Sequence, residues 1–396
     1  MHSDEAQARG EKEPHVSIAD QAKWLAAVKD SLFAFVSTRV IIFVVFTAAA
    51  IIPAKNSNEI TLTWPDIDGI LSQGDAAWYL DLATNGYDPG PYSGETQANW
   101  AFFPLYPMAV RFLMELGAGS ATAGIILSNL FSLAALTFLW KLTQEVSDEA
   151  TARRTVFYLC AFPTSIFLSG TFNMGLALLL LVASLYLLIK QRWAASSIVA
   201  GLATLARGQA VLILASLAWA ALTTRADWHE RLKLTPYFLL VVTPLAGFLL
   251  YMERHTGNAF APWDMQAVWG REVDVPGRVI GSFLLHPRIV GQATSPWDFT
   301  AANVAVAVAS VVMLPFVFLR FGGIIGWYTA ATVLATLPYS TLQAVDRYVL
   351  LAFPLFMLLG VWGAREWADK LTLVTFLTLL GFWAALFANG YQPVLA

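Results

Sequence analysis

Apolar runs of near-spanning length, separated by short polar or basic turns, organise the chain from about residue 32 onward. They lie near 32–53, 121–140, 155–170, 174–189, 194–206, 209–223, 235–252, 299–319, 322–338, 347–363 and 371–389. A helix crosses a bilayer with about 20 predominantly apolar residues, so these runs predict about 11 transmembrane helices, several of them short of full span. Charged residues gather near the run ends and are almost absent from the interiors, as the cost of a charge in hydrocarbon requires. The expected fold class is an all-α integral membrane bundle.

Basic residues orient that bundle, because Lys and Arg accumulate in cytoplasmic connections. With the amino terminus inside, Arg9, Lys12, Lys23 and Lys29 share a side with Lys141, Arg153, Arg154, Lys190 and Arg192. Arg225, Arg231, Lys233, Arg320, Arg365 and Lys370 fall on that side too. Counting 101–117 (AFFPLYPMAVRFLMELG) as a further span would throw every cluster from Lys141 onward outside. That segment is therefore expected to lie as an interfacial helix, opened by Pro104 and Pro107 with Arg111 at the headgroups. Residues 1–30 lack the apolar core and small-residue site of a cleavable signal, and read as a cytoplasmic tail with a membrane-surface helix. Residues 31–396 then form a single polytopic membrane domain with two long outer loops, 54–120 and 253–298.

Composition excludes the soluble alternatives. Hydrophobic residues make up 57% of the 396 residues and charged ones 13%, where soluble domains carry about 25% charge. Lys+Arg 24 against Asp+Glu 27 leaves a net charge of −3, too balanced to suggest a nucleic-acid partner. Cys160 is the single cysteine, so neither an intrachain disulfide nor a thiolate metal site can form. No repeat of 20–50 residues and no low-complexity tract interrupts the domain.

The two outer loops differ from the cytoplasmic turns in carrying aromatic, acidic and amide residues in Gly/Pro-punctuated stretches, more than a linker needs. In the first, Asp75 followed by AAWYLDLAT and closed by Asn85-Gly86 predicts a short helix with an acidic cap and a glycine stop. Asp75 has two readings, helix cap or working carboxylate. It sits among Trp78, Tyr79, Tyr87, Trp100, Phe102, Phe103 and Tyr106, rings suited to sugar faces but equally to an interfacial belt.

GDAAWYLDLATNGY followed by AFFPLYP resembles the first outer-loop signature of the PIG-V-type mannosyltransferases, members of the GT-C superfamily of polyprenyl-phosphate-sugar-dependent glycosyltransferases. PTSIFLSGTF (163–172), GLATLARGQAVL (201–212), GNAFAPWDMQAVWGR with Pro276 after it (257–276) and DRYVLLAFPLF (346–356) follow in the family's order. The resemblance covers about 70–360. Two departures stand out: Gln73-Gly74 where the family shows Arg-Trp, and Phe172-Asn173-Met174-Gly175-Leu176 where it shows Tyr-Ser-Glu-Ser-Leu.

The resemblance implies a GT-C-type bundle that moves mannose, with inversion, from a polyprenyl-phosphate donor to an acceptor hydroxyl on the outer face. The acceptor would be a glycolipid, a glycan or a protein. That chemistry needs a base on the acceptor hydroxyl and cations on the leaving phosphate. Asp75 is the candidate base. Arg207, Arg271 and Arg347 are the candidate phosphate ligands, with Gln266, Trp78, Tyr79, Tyr106 and Trp269 as candidate donor or sugar contacts. Each arginine also has a plainer reading: snorkelling to the headgroups for Arg207, solvation in the loop for Arg271, and a local pair with Asp346 for Arg347.

No metal and no cofactor is expected. Asp66, Asp68 and Asp75 match no dedicated oxygen cage, His255 and His286 are isolated in the second loop, and no Gly-rich phosphate cradle or nucleophile motif is present. A transporter or lipid flippase also needs many spans, but would show internal repeats and ionisable groups within its spans. A non-catalytic relative of the family is the other alternative. The compact loops point to a bacterial plasma membrane with the site outside; the eukaryotic equivalent is the endoplasmic reticulum membrane.

Overall fold

A computed structural model describes residues 18–51, 66–224, 227–287 and 300–390. The cytoplasmic tail over 1–17, the loop residues 54–65 and 288–298, and Arg225 lie outside the described residues.

The helices, in order, are α1 (Ile18–Ile51), α2 (Ile67–Leu71), α3 (Ala76–Asn85), α4 (Leu105–Glu115), α5 (Ser120–Val146) and α6 (Glu149–Ala161). Then come α7 (Met174–Ile189), α8 (Trp193–Ala206), α9 (Leu214–Thr224), α10 (Trp228–Leu232), α11 (Thr235–Thr256), α12 (Ala261–Val268) and α13 (Arg278–Leu285). α14 (Thr300–Leu334), α15 (Val345–Tyr348), α16 (Pro354–Trp362) and α17 (Glu366–Ala388) complete them. Among the described residues, five helical stretches are long and apolar enough to cross a membrane: Asp20–Ala49, Ser120–Val146, Trp228–Thr256, Ala301–Leu334 and Glu366–Ala388. Met174–Ile189, Trp193–Ala206 and Gly208–Thr223 are shorter apolar helices.

Three places refine the sequence reading. The surface helix expected before residue 31 and the first span are one continuous helix, α1, which at about 1.5 Å per residue outruns the hydrocarbon by several turns. Its first turns pack against the bundle, where Trp24 meets Phe138 and Tyr186 edge-on, Asp20 meets Lys141 at 3.1 Å and Asp30 meets Arg153 at 3.2 Å. The runs 299–319 and 322–338 appear as a single element, α14, kinked at Gly322, whose φ of 77° suits glycine. The rings of Phe318 and Trp327 meet edge-on with centroids 5.4 Å apart. Nine residues apart on a straight helix they would point to opposite faces, so the chain doubles back at Gly322. The run 155–170, read as one span, is broken instead. α6 ends at Ala161, because Pro163 disfavours helical backbone at the residue before it and Phe162 is extended, at φ −60° and ψ 142°. Residues 162–173 then pass through a short 3₁₀ turn at Ser165–Leu168 before α7 begins.

That break would leave carbonyls orphaned in the bundle. Arg39, from the middle of α1, answers them: its Nη2 donates to Ser165 O at 2.8 Å, its Nε to Ser169 Oγ at 2.8 Å and its Nη1 to Cys160 O at 3.4 Å. Arg39 is thus the charge inside a span that the hydropathy pattern does not anticipate, and its guanidinium also stacks over Phe35 at 4.4 Å. The interrupted segment in turn ties distant parts together. Thr171 N donates to Leu71 O of α2 at 2.9 Å, Thr164 Oγ1 to Asp346 O at 2.7 Å, and Asn173 Nδ2 to Ala206 O at the end of α8 at 2.7 Å.

The basic clusters assigned to one side do gather at one end of the bundle. Besides Lys141 and Arg153, Lys190 pairs with Glu145, and Arg320 donates to Ser147 Oγ at 3.0 Å. Loops one and two meet at the other end, where Tyr92 N donates to Thr256 O at 2.8 Å and His255 Nε2 lies 2.9 Å from Asp88 O. α4 forms as the short amphipathic helix expected of 101–117, with Met108, Phe112 and Leu116 exposed beside it.

Candidate functional site

The far ends of α8 and α12, the amino end of α3 and the short α15 surround a cavity of about 160 Å³. Asp75, Tyr79, Arg207, Gln266, Trp269, Arg271 and Arg347 all line it. Residues up to 272 positions apart in sequence are therefore drawn together, including all three candidate arginines.

Asp75 occupies the cap position of α3 but makes no capping hydrogen bond. Its Oδ2 instead accepts from Arg347 Nη2 at 2.9 Å, with the arginine side chain 7% exposed and the carboxylate 32%. The capping reading of Asp75 is thereby displaced by an ion pair across the cavity. Tyr79, one turn on, is buried against Phe102, whose ring stands edge-on at 4.8 Å. Burial pushes its phenol pKa upward, and Arg207 opposes that only in part, so it stays a protonated donor at neutral pH.

Arg347 lies against the touching rings of Phe167 and Phe172 of the interrupted segment, with its guanidinium carbon 4.9 and 5.9 Å from their ring centres. Neighbouring Asp346 gives its carboxylate to the Arg347 backbone amide, Oδ1 accepting at 2.9 Å, so the local pair read from sequence is a turn contact. Arg207 follows the last residue of α8 with extended backbone, and its guanidinium lies over the Tyr348 ring at 4.1 Å rather than snorkelling away. Gly208 makes this possible: a Cβ there would come within 2.4 Å of Phe103 and 2.7 Å of Trp263. Arg271 is not a freely solvated loop residue. Its Nη1 donates to Tyr348 OH at 2.7 Å and to Gln266 Oε1 at 3.2 Å. An antiparallel bridge between Val273 and Tyr339 fastens its segment to the stretch before α15.

Two expected contacts lie elsewhere. Tyr106 is fully buried in the core, its hydroxyl within 3.0 Å of Gly124 O and 2.8 Å of Ser128 Oγ, where it fastens α4 to α5. Trp78 backs the cavity without lining it, stacked on Phe102 at 6.1 Å and edge-on to Trp269 at 6.0 Å. Asp66 caps α2 through the Gly69 amide, and Asp68 accepts from Thr122 Oγ1 at 2.9 Å, so these acids are engaged separately from Asp75. Among the described residues no group of three or more His, Cys, Asp or Glu is placed to hold a metal.

Sequence reading passed over Tyr348, Asn173, Gln209, Gln343 and Trp263, which also line the cavity. Tyr348 had a signal, since it adjoins Arg347 within DRYVLL; the amides had none, being scattered singly. A second, largely apolar cavity of about 40 Å³ adjoins the first and shares Arg207, Gln209, Arg271 and Tyr348 with it. Nε of Arg271 and of Arg347 are buried without a hydrogen-bond partner, so the arginines retain unspent donors.

No family model matches the sequence. The chain is similar to GPI mannosyltransferase 2 of Schizosaccharomyces pombe, 27% identical over 178 residues, which is 44% of this chain and 36% of that protein. The match thus spans about a third of that relative's length. The fold is similar to that of ArnT from Cupriavidus metallidurans in its crystal structure bound to undecaprenyl phosphate, with a TM-score of 0.51 at 14% identity over 91% of this chain and 76% of that one. The oligosaccharyltransferase of Archaeoglobus fulgidus, in complex with Zn and sulfate, aligns at a TM-score of 0.45 and 14% identity over 90% of this chain and 53% of that one. The helical bundle formed by the described residues therefore has a fold like that of the ArnT structure, and the protein is an integral membrane protein.

Proposed function

We propose that this protein is a membrane glycosyltransferase that moves mannose from polyprenyl-phosphate mannose to an acceptor hydroxyl on the outer face of the membrane, with inversion at the sugar. The observation that carries the reading is the convergence of Asp75 with Arg207, Arg271 and Arg347 on one cavity that adjoins an apolar one. The similarity to GPI mannosyltransferase 2, and to the fold of an ArnT captured with undecaprenyl phosphate, supports the sugar and the lipid-linked donor.

In this reading the carboxylate of Asp75 takes the proton of the acceptor hydroxyl as that oxygen attacks the anomeric carbon. The bond from that carbon to the phosphate oxygen breaks, and the charge growing on the leaving phosphate is met by guanidiniums. Asp75 is bound to Arg347, so donor phosphate competing for Arg347 would release the carboxylate for its task. Trp269 and Gln266 supply the ring face and amide that a sugar hydroxyl face recognises. The acceptor is a glycolipid, glycan or protein, and a bacterial plasma membrane with the cavity outside accommodates such a reaction. The phosphate's cations in this reading are arginines, with no cofactor called upon.

Purified protein incubated with polyprenyl-phosphate mannose and a membrane lipid extract should yield a product heavier by one hexose in mass spectrometry. It should be absent with Asp75→Asn. Uptake of mannose lipid across sealed vesicles without any hexose addition would overturn the proposal.

A further inference from the structure

Three guanidiniums crowd one end of this bundle, and among the described residues only Arg347 of the three has a carboxylate within ion-pair distance. Like charges so close repel, and in water-poor surroundings the repulsion grows, so something must hold Arg207 and Arg271 in place. A carboxylate could do so, but only by neutralising them and competing with any incoming anion.

The structure offers a different holder. The Tyr348 ring has the guanidinium carbons of Arg207, Arg271 and Arg347 at 4.1, 5.2 and 5.3 Å from its centre. Its phenol oxygen accepts from Arg271 Nη1 at 2.7 Å. An aromatic face attracts a cation through its quadrupole without carrying a net charge, so the full positive charge of the arginines stays available. Arg207 otherwise touches Met174, Nη1 lying 3.5 Å from Sδ, another neutral neighbour. Nε of Arg271 and of Arg347 is buried without a hydrogen-bond partner, so neither guanidinium has its donors fully used.

We propose that Tyr348 is the positioning residue that gathers Arg207 and Arg271 into a single site for a phosphoryl anion, by ring face and phenol oxygen, with Asp75 paired to Arg347 until the phosphate draws that arginine away. This deepens the transferase reading and rests on it. Before that exchange, and with the Tyr348 phenol protonated, the site carries two uncompensated charges, which match the phosphate monoester released by the reaction better than the singly charged diester that enters. Such a preference strengthens as the sugar departs, which favours the transition state over the bound donor.

The test uses the full chain in detergent, with farnesyl phosphate as a monoester probe and farnesol as its uncharged counterpart, because Tyr348 also lines the apolar cavity. Tyr348→Leu should weaken farnesyl phosphate about tenfold, the scale of a lost cation–ring contact plus a charged hydrogen bond. Tyr348→Phe, which keeps the ring, should weaken it about threefold. Farnesol binding and melting temperature should hold in both variants. Arg207→Met should cost about tenfold in the wild type but less than threefold in Tyr348→Leu, because residues acting through one another are not additive. Unchanged farnesyl phosphate binding in Tyr348→Leu, additive costs, or equal loss of farnesol and farnesyl phosphate would each overturn the proposal while leaving the transferase reading standing. Wild-type protein that binds farnesyl phosphate no better than farnesol and adds no hexose to lipid would overturn both.

Discussion

Asp75 and its neighbours in loop one separate chemistry from scaffolding at the level of single residues. Asp81 Oδ2 accepts from Asn99 Nδ2 at 2.8 Å, and Asp88 Oδ2 accepts from the Asn99 backbone amide at 2.8 Å. Asn99 is fully buried, so these carboxylates are tied up in holding the loop. Asp75 faces the cavity with its partner on another element. Asp75→Asn is expected to lower mannose transfer at least about 100-fold, the scale of a lost general base, with the melting temperature nearly unchanged. Asn99→Ala should do the reverse, costing about 1–3 kcal/mol as Asp81 Oδ2, Gly86 O and the Asp88 amide lose their bonds to the Asn99 side chain, which a denaturation curve in detergent would read. Transfer by Asp75→Asn within tenfold of wild type would remove the base from this carboxylate. At the same scale Arg271→Lys keeps the charge but loses the planar guanidinium that lies over the Tyr339 and Tyr348 rings, and is expected to raise the donor KM more than it lowers melting temperature.

Among elements, the interrupted segment 162–173 decides most. Its 3₁₀ turn and extended ends leave polar backbone inside the bundle, which is tolerated where protein groups satisfy it. Arg39 does that from α1, while Phe167 and Phe172 on the same segment hold Arg347. Arg39→Met should therefore lower the melting temperature substantially, by the roughly 1–3 kcal/mol of an unsatisfied buried acceptor, and Arg39→Lys should recover part of it. An unchanged melting temperature in Arg39→Met would mean that the carbonyls find other partners. Gly208 is the other element-scale control. Any side chain there meets the Phe103 and Trp263 rings, so Gly208→Ala should displace Arg207 and weaken donor use more than it weakens the fold, measured as a split between KM and melting temperature.

For the whole molecule, charge is divided between two ends. Lys141, Arg153, Lys190 and Arg320 cluster at one, and the cavity arginines lie at the other with both long loops. The positive-inside rule places the first end in the cytoplasm. On a Cys160→Ala background, a cysteine at Thr96 is expected to react with an impermeant thiol reagent added to intact cells, and one at Ala150 to react after the membrane is opened. The opposite pattern would put the cavity in the cytoplasm and end the proposal of an outer-face transfer. Cys160 itself is buried, so its removal changes the labelling background without exposing new surface.

The sequence by itself determined the class and most of the helical runs, and predicted the side on which each loop falls, because hydrophobic length and basic flanks are local properties that a bilayer reads residue by residue. It also named Asp75, Arg207, Arg271 and Arg347, through the family resemblance of the motifs around them and, for Arg207, through the cost of a charge between two apolar runs. Only the tertiary structure decided which of them meet. Asp75 and Arg347 are 272 positions apart, and no periodicity links them. Tyr106 and Tyr79 look alike in the chain, two rings in one aromatic loop, yet one faces the cavity and the other is locked against α5. The direction of a side chain depends on how its helix is docked, which neighbours far along the chain settle. Arg39 and Tyr348 escaped for the same reason. A lone arginine in an apolar run and a tyrosine beside an arginine acquire their meaning from a broken helix and from two other guanidiniums, none of them within reach of a sequence window.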